Sequence, residues 1–367
     1  MGYAERLGVA PERAGDVLEH FERERYEGRE YRRLGDARHG LERGTVLIDG
    51  VVVRGYPKVP RTLTLSEGVP RHFDGPLIVE EKLNGYNVRV ARVGDLLAFT
   101  RGGYVCPYTT HLVRERDFGS LFEDRPDLVL CGEVIGPENP YTEHDYDGVD
   151  SAAFRAFDLR ERETGAPLPV DERRRLCDSR GVPQTRSFGR YDSAEAPDAV
   201  ENIVRSLDDE GREGVVMQSL DGRRQLKYTT ASAHRDALAH AFSLPFDYGR
   251  DFVFRRVIRE AFQSVEFEED EATARERAHR LGEAILLPMI ETIEAVEDGE
   301  TPGERHTVRG DPDAIERLIA HFRECNLPVT VESDRREDGE RVVAICKEMQ
   351  STADKVENYL NGHVVDE

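Results

Sequence analysis

From about residue 76 to 230 the chain alternates short apolar runs with polar punctuation, the period-2 pattern of half-buried strands. The segments PLIVEEKL, YNVRVARV, LLAFTR, DLVLCGEVI, AFRAFDL, EGVVMQS and RRQLKY each predict a strand. Long helical crossovers between them are few, which predicts mainly antiparallel sheets and an α+β fold rather than a doubly wound one. Residues 1 to about 44 are charged, nearly balanced in sign, and read as helical. GTVLIDGVVVRGYP (44–57) alternates around Asp49-Gly50, a hairpin signal, and YPKVPRTLTL is a proline-punctuated connector. Within EEKLNGYN (80–87), Asn84-Gly85 is a second such signal. It predicts a hairpin with Lys82 on one strand and Asn87 on the other.

After about 240 the period changes. RDFVFRRVIREAFQSV carries Phe254, Val257, Ile258, Ala261, Phe262 and Val265 at helical spacing. A long acidic helix follows, with Ala278, Leu281, Ile285, Met289, Ile293 and Val296 along one stripe and Pro288 expected to kink it. That stripe needs a partner, within the chain or in a second subunit. DPDAIERLIAHF predicts a helix with Asp311 as N-cap, Pro312 at its first position and Ile315, Leu318, Ile319 and Phe322 inward. A hairpin over LPVTVESDRREDGERVVAICKEM and a closing helix before Gly362 complete the chain. The expected units are an N-terminal helix-plus-hairpin module (1–65), a sheet-rich domain (66–238), a helical module (239–300) and a small α/β unit (301–367).

Composition narrows the setting. No apolar stretch of the 367 residues approaches the roughly 20 of a membrane span, and the N-terminus lacks a signal-peptide pattern. Five scattered cysteines with no CxxC pair argue against a zinc ribbon or redox motif, and for reduced thiols in a cytoplasmic protein. The net charge of −22 and the near-replacement of lysine by arginine fit an acidic, salt-adapted proteome. Charge is unevenly spread, however. Arg223 to Arg259 holds eight basic residues against three aspartates, and Glu266 to Glu300 holds twelve acids against three arginines.

Only five of the 51 basic residues are lysines, and Lys82 is one of them. A lysine nucleophile must be neutral to attack, so a rigid strand end beside a cleft suits it. TRGG (100–103) sets Arg101 before two glycines, where backbone can approach a ligand. Glu133 stands alone in the apolar LCGEVIG and needs a hydrogen-bonding or cationic partner. Phe157 is either a stacking platform or core. Glu213, at the mouth of EGVVMQ, suits a magnesium shell. Lys227 ends a strand beside Arg223 and Arg224. YTEHDYDGVD (141–150) reads as a polar loop, and His234 and His240 are wrongly spaced for a metal pair.

The order Lys82, Arg101, Glu133, Phe157, Glu213, Lys227 resembles the motif series of the covalent nucleotidyltransferases. KLNGYN matches the RNA-ligase form KxxGxN through Lys82, Gly85 and Asn87, with Asn84 where DNA ligases carry aspartate. EEKLNGYNVR, CGEVIGPENPY and LKYTT look like the archaeal homodimeric ATP-dependent RNA ligases. The resemblance implies an antiparallel-sheet, ATP-grasp-like catalytic domain followed by a helical dimerisation module. It implies that Lys82 attacks the α-phosphorus of ATP and carries AMP, that Lys227 contacts the α-phosphate, that Glu133 binds the ribose, and that Arg101 meets the ribose or the RNA side. Phe157 then stacks on adenine, Glu80 meets the adenine edge, Asn87 orders the nucleotide or a metal-bound water, and Glu213 organises Mg or Mn. The implied partners are RNA 5′-phosphate and 3′-hydroxyl ends and a second copy of the chain. One departure stands out: Gln225 replaces the first lysine of the last motif, KxK in many relatives. The competing readings are a DNA ligase or guanylyltransferase of the same superfamily, and a catalytically idle RNA-binding protein on this scaffold.

Overall fold

The computed structural model describes residues 2–116 and 118–364. Two short helices, α1 (Tyr3–Arg6) and α2 (Ala14–Leu18), precede a four-stranded meander of β1 (Phe21–Tyr26), β2 (Arg29–Leu34), β3 (Val46–Ile48) and β4 (Val51–Val53). The helical reading of residues 1–44 is therefore wrong for 21–34. Those strands are masked by a solvent face of charged cross-strand pairs such as Arg25–Glu30 and Arg33–Glu24, while Tyr26, Tyr31 and Leu34 are buried. The Asp49-Gly50 hairpin forms as expected, with φ of 45° and 76° at its two turn residues.

Helix α3 (Leu65–His72) leads into two antiparallel sheets. β5 (Leu77–Lys82) belongs to the sheet β10-β5-β11-β12, whose other members are Ser187–Tyr191, Gly214–Ser219 and Gln225–Thr229. β6 (Tyr86–Val93), β7 (Asp95–Thr100), β8 (Leu128–Ile135) and β9 (Ala153–Glu161) form the other, in the order β7-β6-β8-β9. Helices α4 (Pro107–Glu115), α5 (Gly119–Asp124) and α6 (Val170–Ser179) pack on this second sheet through Val113, Phe122 and Cys177. The meander covers its opposite face, with Tyr31, Val46 and Ile48 against Ala91, Phe99 and Val129. On the first sheet, α3 and α7 (Ala196–Asp209) bury Val69, Val200 and Val204 against Val79 and Val215.

One consequence overturns the Asn84-Gly85 expectation. β5 and β6 lie in different sheets, so the two residues make a crossover, not a hairpin. Neither adopts the positive φ that a two-residue hairpin turn needs. Gly85 is required for another reason: a Cβ there would lie 2.3 Å from the Val134 carbonyl oxygen.

Helices α8 (Ala231–Ser243), α9 (Arg250–Glu266) and α10 (Glu271–Glu297) follow, and α10 runs through Pro288 as one helix. α9 reverses the expected orientation. Its buried residues are Glu260 and Gln263, whereas Phe254 and Val265 are 65% and 79% exposed. On α10, Leu281, Ile285, Met289 and Val296 are half-buried, while Leu286, Leu287, Ile290 and Ile293 face solvent. The last unit comprises β13 (Gly303–Gly310), α11 (Pro312–Glu324), β14 (Val329–Glu337), β15 (Glu340–Glu348) and α12 (Gln350–Leu360), with sheet order β13-β15-β14. Asp311 caps α11 as expected, and Ile315, Leu318 and Phe322 pack on Tyr108 of α4.

Candidate active site

The two sheets diverge at the crossover, leaving a cleft of about 220 Å³ between them. Lys82 closes β5 opposite Gly214 of β11, and its Nζ pairs with the Glu213 carboxylate. Each side chain is about one-fifth exposed. The Asn84 amide donates to the Tyr146 hydroxyl at 2.7 Å, and Asn84 Nδ2 lies 3.4 Å from His144 Nδ1. The loop 141–150 therefore braces the crossover that aims the lysine.

The other sheet supplies oxygen-bearing side chains. Asn87 and Glu133 are register partners on β6 and β8, and both line the cleft. Burial pushes the Glu133 carboxyl up to about 8 despite Lys82, which opposes the shift. The Asn87 Oδ1 is buried without a hydrogen-bond partner. Lys227, opposite Val216 on β12, is brought down to about 8 by burial and by the cations Arg61 and Lys82. Arg101 lines the same cleft and donates to the Pro57 carbonyl at 3.3 Å. Of the two glycines after it, Gly103 is required by packing, since a Cβ there would lie 2.9 Å from the Gly44 carbonyl oxygen.

At the far end, Phe157 meets Tyr56 edge-on at 5.2 Å. Glu80 is only 1% exposed, and both its oxygens are engaged. Arg173 and Arg174 each donate to Oε1 at 2.5 Å, and Gln218 donates to Oε2 at 2.8 Å. Arg173 also donates to the Phe157 carbonyl, fixing the carboxylate and the aromatic residue together. Gln225 is buried among Tyr56, Asp158 and Gln218, so it contributes to this polar floor and supplies no cation.

The cleft gathers Glu80, Lys82, Asn87, Arg101, Glu133, Phe157 and Lys227, and Glu213 reaches it through Lys82. Gly85 acts at the crossover and is not in the lining. His234 and His240 form no ligand pair. His234 is buried between Thr229 and Glu260, and His240 lies beside Tyr248 and Glu304. Sequence reasoning missed Tyr56, Lys58 and Val59, which the connector lays along the cleft, and the Arg173–Gln218 support for Glu80. Lys58 carried a signal, being one of the five lysines. The Glu80 partners carried none, because they are distant in the chain.

A family model described as RNA ligase matches residues 75–229, and one described as the C-terminal region of ligase Pab1020 matches 240–363. The uncharacterized protein MJ0414 of Methanocaldococcus jannaschii is 40% identical over 337 residues, covering 88% of this chain and 85% of that protein. Two solved forms of an archaeal ATP-dependent RNA ligase are 44% identical, with TM-scores of 0.93 and 0.92 over 99% of this chain and 98% of theirs. A protein of Aquifex aeolicus, provisionally described as an ATP-dependent DNA ligase, has a TM-score of 0.90 at 26% identity, over 97% of this chain and all of its own. With a lysine-lined cleft between two antiparallel sheets and this identity over almost its full length, the chain belongs to the archaeal ATP-dependent RNA ligase family.

Proposed function

We propose that this ligase seals RNA 5′-phosphate and 3′-hydroxyl ends through lysyl-AMP and RNA-adenylate intermediates, with Lys82 as the nucleophile. The observation that carries this reading is the placement of Lys82 at a strand end between a cationic wall and an oxygen-rich one. In the first step the neutral Lys82 amine attacks the α-phosphorus of ATP and pyrophosphate leaves. Lys227 faces the α-phosphate, where anionic charge returns its ammonium form. Glu133 and Arg101 meet the ribose, and Phe157 the base. Glu80 serves as a fixed end of the adenine pocket, using the lone pairs its own partners leave open. The RNA phosphate then displaces Lys82 from AMP, and a 3′-hydroxyl displaces AMP.

The donor set fits a hard divalent cation, Mg or Mn, because it combines the Glu213 carboxylate with the unpartnered buried amide oxygen of Asn87. Glu213 and Asn87 would hold it. A cation held there would supply charge neutralisation at the phosphates, and Glu213, in holding it, would release Lys82. The RNA phosphates would follow the basic segment 223–259. Two copies would join through the apolar faces of α9 and α10, and the four units named above would be the chain's domains. The five thiols are free, which suits a cytoplasmic setting, and no helix is long and apolar enough to cross a membrane.

ATP labelled on the α-phosphate tests the reading directly. With a divalent cation the wild type takes up label, and Lys82→Ala takes up none. Label persisting in Lys82→Ala would sink the nucleophile assignment. The likeness to the Aquifex protein favours DNA as a second substrate. Competing 5′-phosphorylated RNA and DNA strands in one reaction decides between them, and RNA should be circularised in preference.

A further inference from the structure

Most arginines of this acidic chain are ion-paired, including Arg255 and Arg277 in the helical module. Arg101 in the cleft is not, and neither are three arginines beside it. Arg61, Arg256 and Arg259 make no carboxylate pair among the described residues, and all three are half-buried. Arg61 lies on the connector, where its backbone bridges to Lys227, and its Nη1 donates to Thr229 Oγ1 at 2.5 Å. Arg256 and Arg259 project from α9. Arg61 and Arg259 line one small cavity, and Arg256 shares a larger one, of about 580 Å³, with Glu213. Arg256 Nε is buried without a partner. Burial, and then the repulsion of Arg259, pushes Arg61 and Arg256 down to about 10.

The polar face of α9 explains how these cations stay in place. Glu260 accepts from His234 Nδ1 at 2.6 Å and from Arg277 at 2.7 Å, and Gln263 donates to the Thr229 carbonyl at 3.2 Å. Contacts that are already satisfied therefore anchor the helix beside β12. Arg256 lies one turn before Glu260 on that face, and Arg259, three residues after Arg256, is its neighbour on the helix surface. The Glu213 carboxylate, which Lys82 already engages, is the counter-charge that all three guanidinium groups feel. Desolvated cations that share one committed carboxylate are costly, and a bound anion offsets that cost. On the ligase reading the base end lies at Glu80 and Phe157 and the α-phosphate at Lys82 and Lys227. Arg61, whose backbone bridges to Lys227, continues from there outside the cleft lining, and Arg259 shares its cavity.

We propose that Arg61, Arg256 and Arg259 form a seat for the phosphoanion that flanks the α-phosphate, so that α9 completes the catalytic cleft. This rests on the ligase reading above. In the first step the occupant is the pyrophosphate part of ATP. The Lys82 Nζ–P bond forms, the α-phosphorus bond to the bridging oxygen breaks, its electron pair leaves with pyrophosphate, and the amine proton passes to water. In the second step the occupant is the RNA 5′-phosphate, whose oxygen bonds to the α-phosphorus as the Lys82 N–P bond breaks and Nζ regains a proton from water.

Arg256→Ala, Arg259→Ala and Arg61→Ala, with the Lys variants as charge-keeping controls, test the seat. Calorimetry with inorganic pyrophosphate, ATP and AMP reads binding without turnover. Affinity for pyrophosphate and ATP should fall at least tenfold in the Ala variants and recover in part with Lys, while AMP affinity stays within twofold. Melting temperatures should hold or rise, since each change relieves repulsion. Two kinetic arms separate the sources: label uptake from ATP falls if pyrophosphate occupies the seat, and AMP transfer from labelled enzyme to 5′-phosphorylated RNA falls if RNA does. Unchanged pyrophosphate binding, or an equal loss of AMP binding, would overturn the proposal. Wild type that binds pyrophosphate but never takes up label would refute the ligase reading and leave the seat standing.

Discussion

Glu133 and Lys227 face one another's charge across the cleft, and each is held away from its ordinary ionisation. Glu133 ionises at about 8 rather than the usual 4.5 because burial opposes its charge. Between those values the folded chain keeps a proton that the unfolded chain has released. This group's contribution to stability is therefore full below about 4.5 and is lost as pH rises through about 8. Glu133→Gln removes that titration. Its melting temperature should gain on wild type from pH 5 to 8.5, by about 2–4 °C per kcal/mol of relieved ionisation, while label uptake from ATP falls at least tenfold. A gap between the two proteins that is flat across pH would show that the carboxyl is not held neutral. Lys227 works in the opposite sense: folded at about 8 against 10.5 unfolded, it adds stability as pH climbs through that higher window. Stability in the free enzyme and charge for catalysis thus pull against each other at both residues. Their chemical types were legible in the sequence as single ionisable residues in apolar strands, but the size of each shift was not. It depends on which charges the fold brings near.

At the scale of elements, the crossover and α9 show where local pattern misleads. Asn84-Gly85 carries a hairpin signal, yet the following strand joins another sheet, and the glycine is kept for its missing Cβ. Gly85→Ala should destabilise the protein by about 1–3 kcal/mol, the range for overpacking a tight contact. It should also depress adenylylation far more than thermal loss explains, because it displaces Lys82 relative to Glu133. Denaturant midpoints and label uptake measured together check this, and a variant with wild-type activity would show that the contact is slack. β1 and β2 were hidden because one face of each is charged and paired. On α9 the apolar spacing was read correctly as a helix, but which face would be inward was not. Its inner face is polar because His234, Thr229 and Arg277 wait there with matching partners.

For the molecule as a whole, the outward apolar residues of α9 and α10 are the largest departure from a monomer's surface. Phe254, Phe262, Val265, Leu286, Leu287, Ile290 and Ile293 are exposed on adjoining helices in a chain of net charge −22. Exposed apolar surface of this kind marks interaction sites. Leu287→Asp or Ile290→Asp should convert a dimer to a monomer in sedimentation at micromolar concentration, with little change in melting of the catalytic sheets. A wild type that sediments as a monomer would remove the interface. By itself the sequence determined the strand and helix inventory over most of the chain, singled out Lys82 as the proposed nucleophile, and picked out the charged and aromatic groups that line the cleft with it, because strand alternation, helical spacing and lysine scarcity are local properties. Only the tertiary structure decided that β5 and β6 separate into two sheets and that the connector and α9 bring unpaired arginines to Lys227. It alone decided that Glu80 is already clasped by Arg173 and Arg174. Those outcomes depend on which distant groups meet and which are desolvated, and no local pattern encodes either.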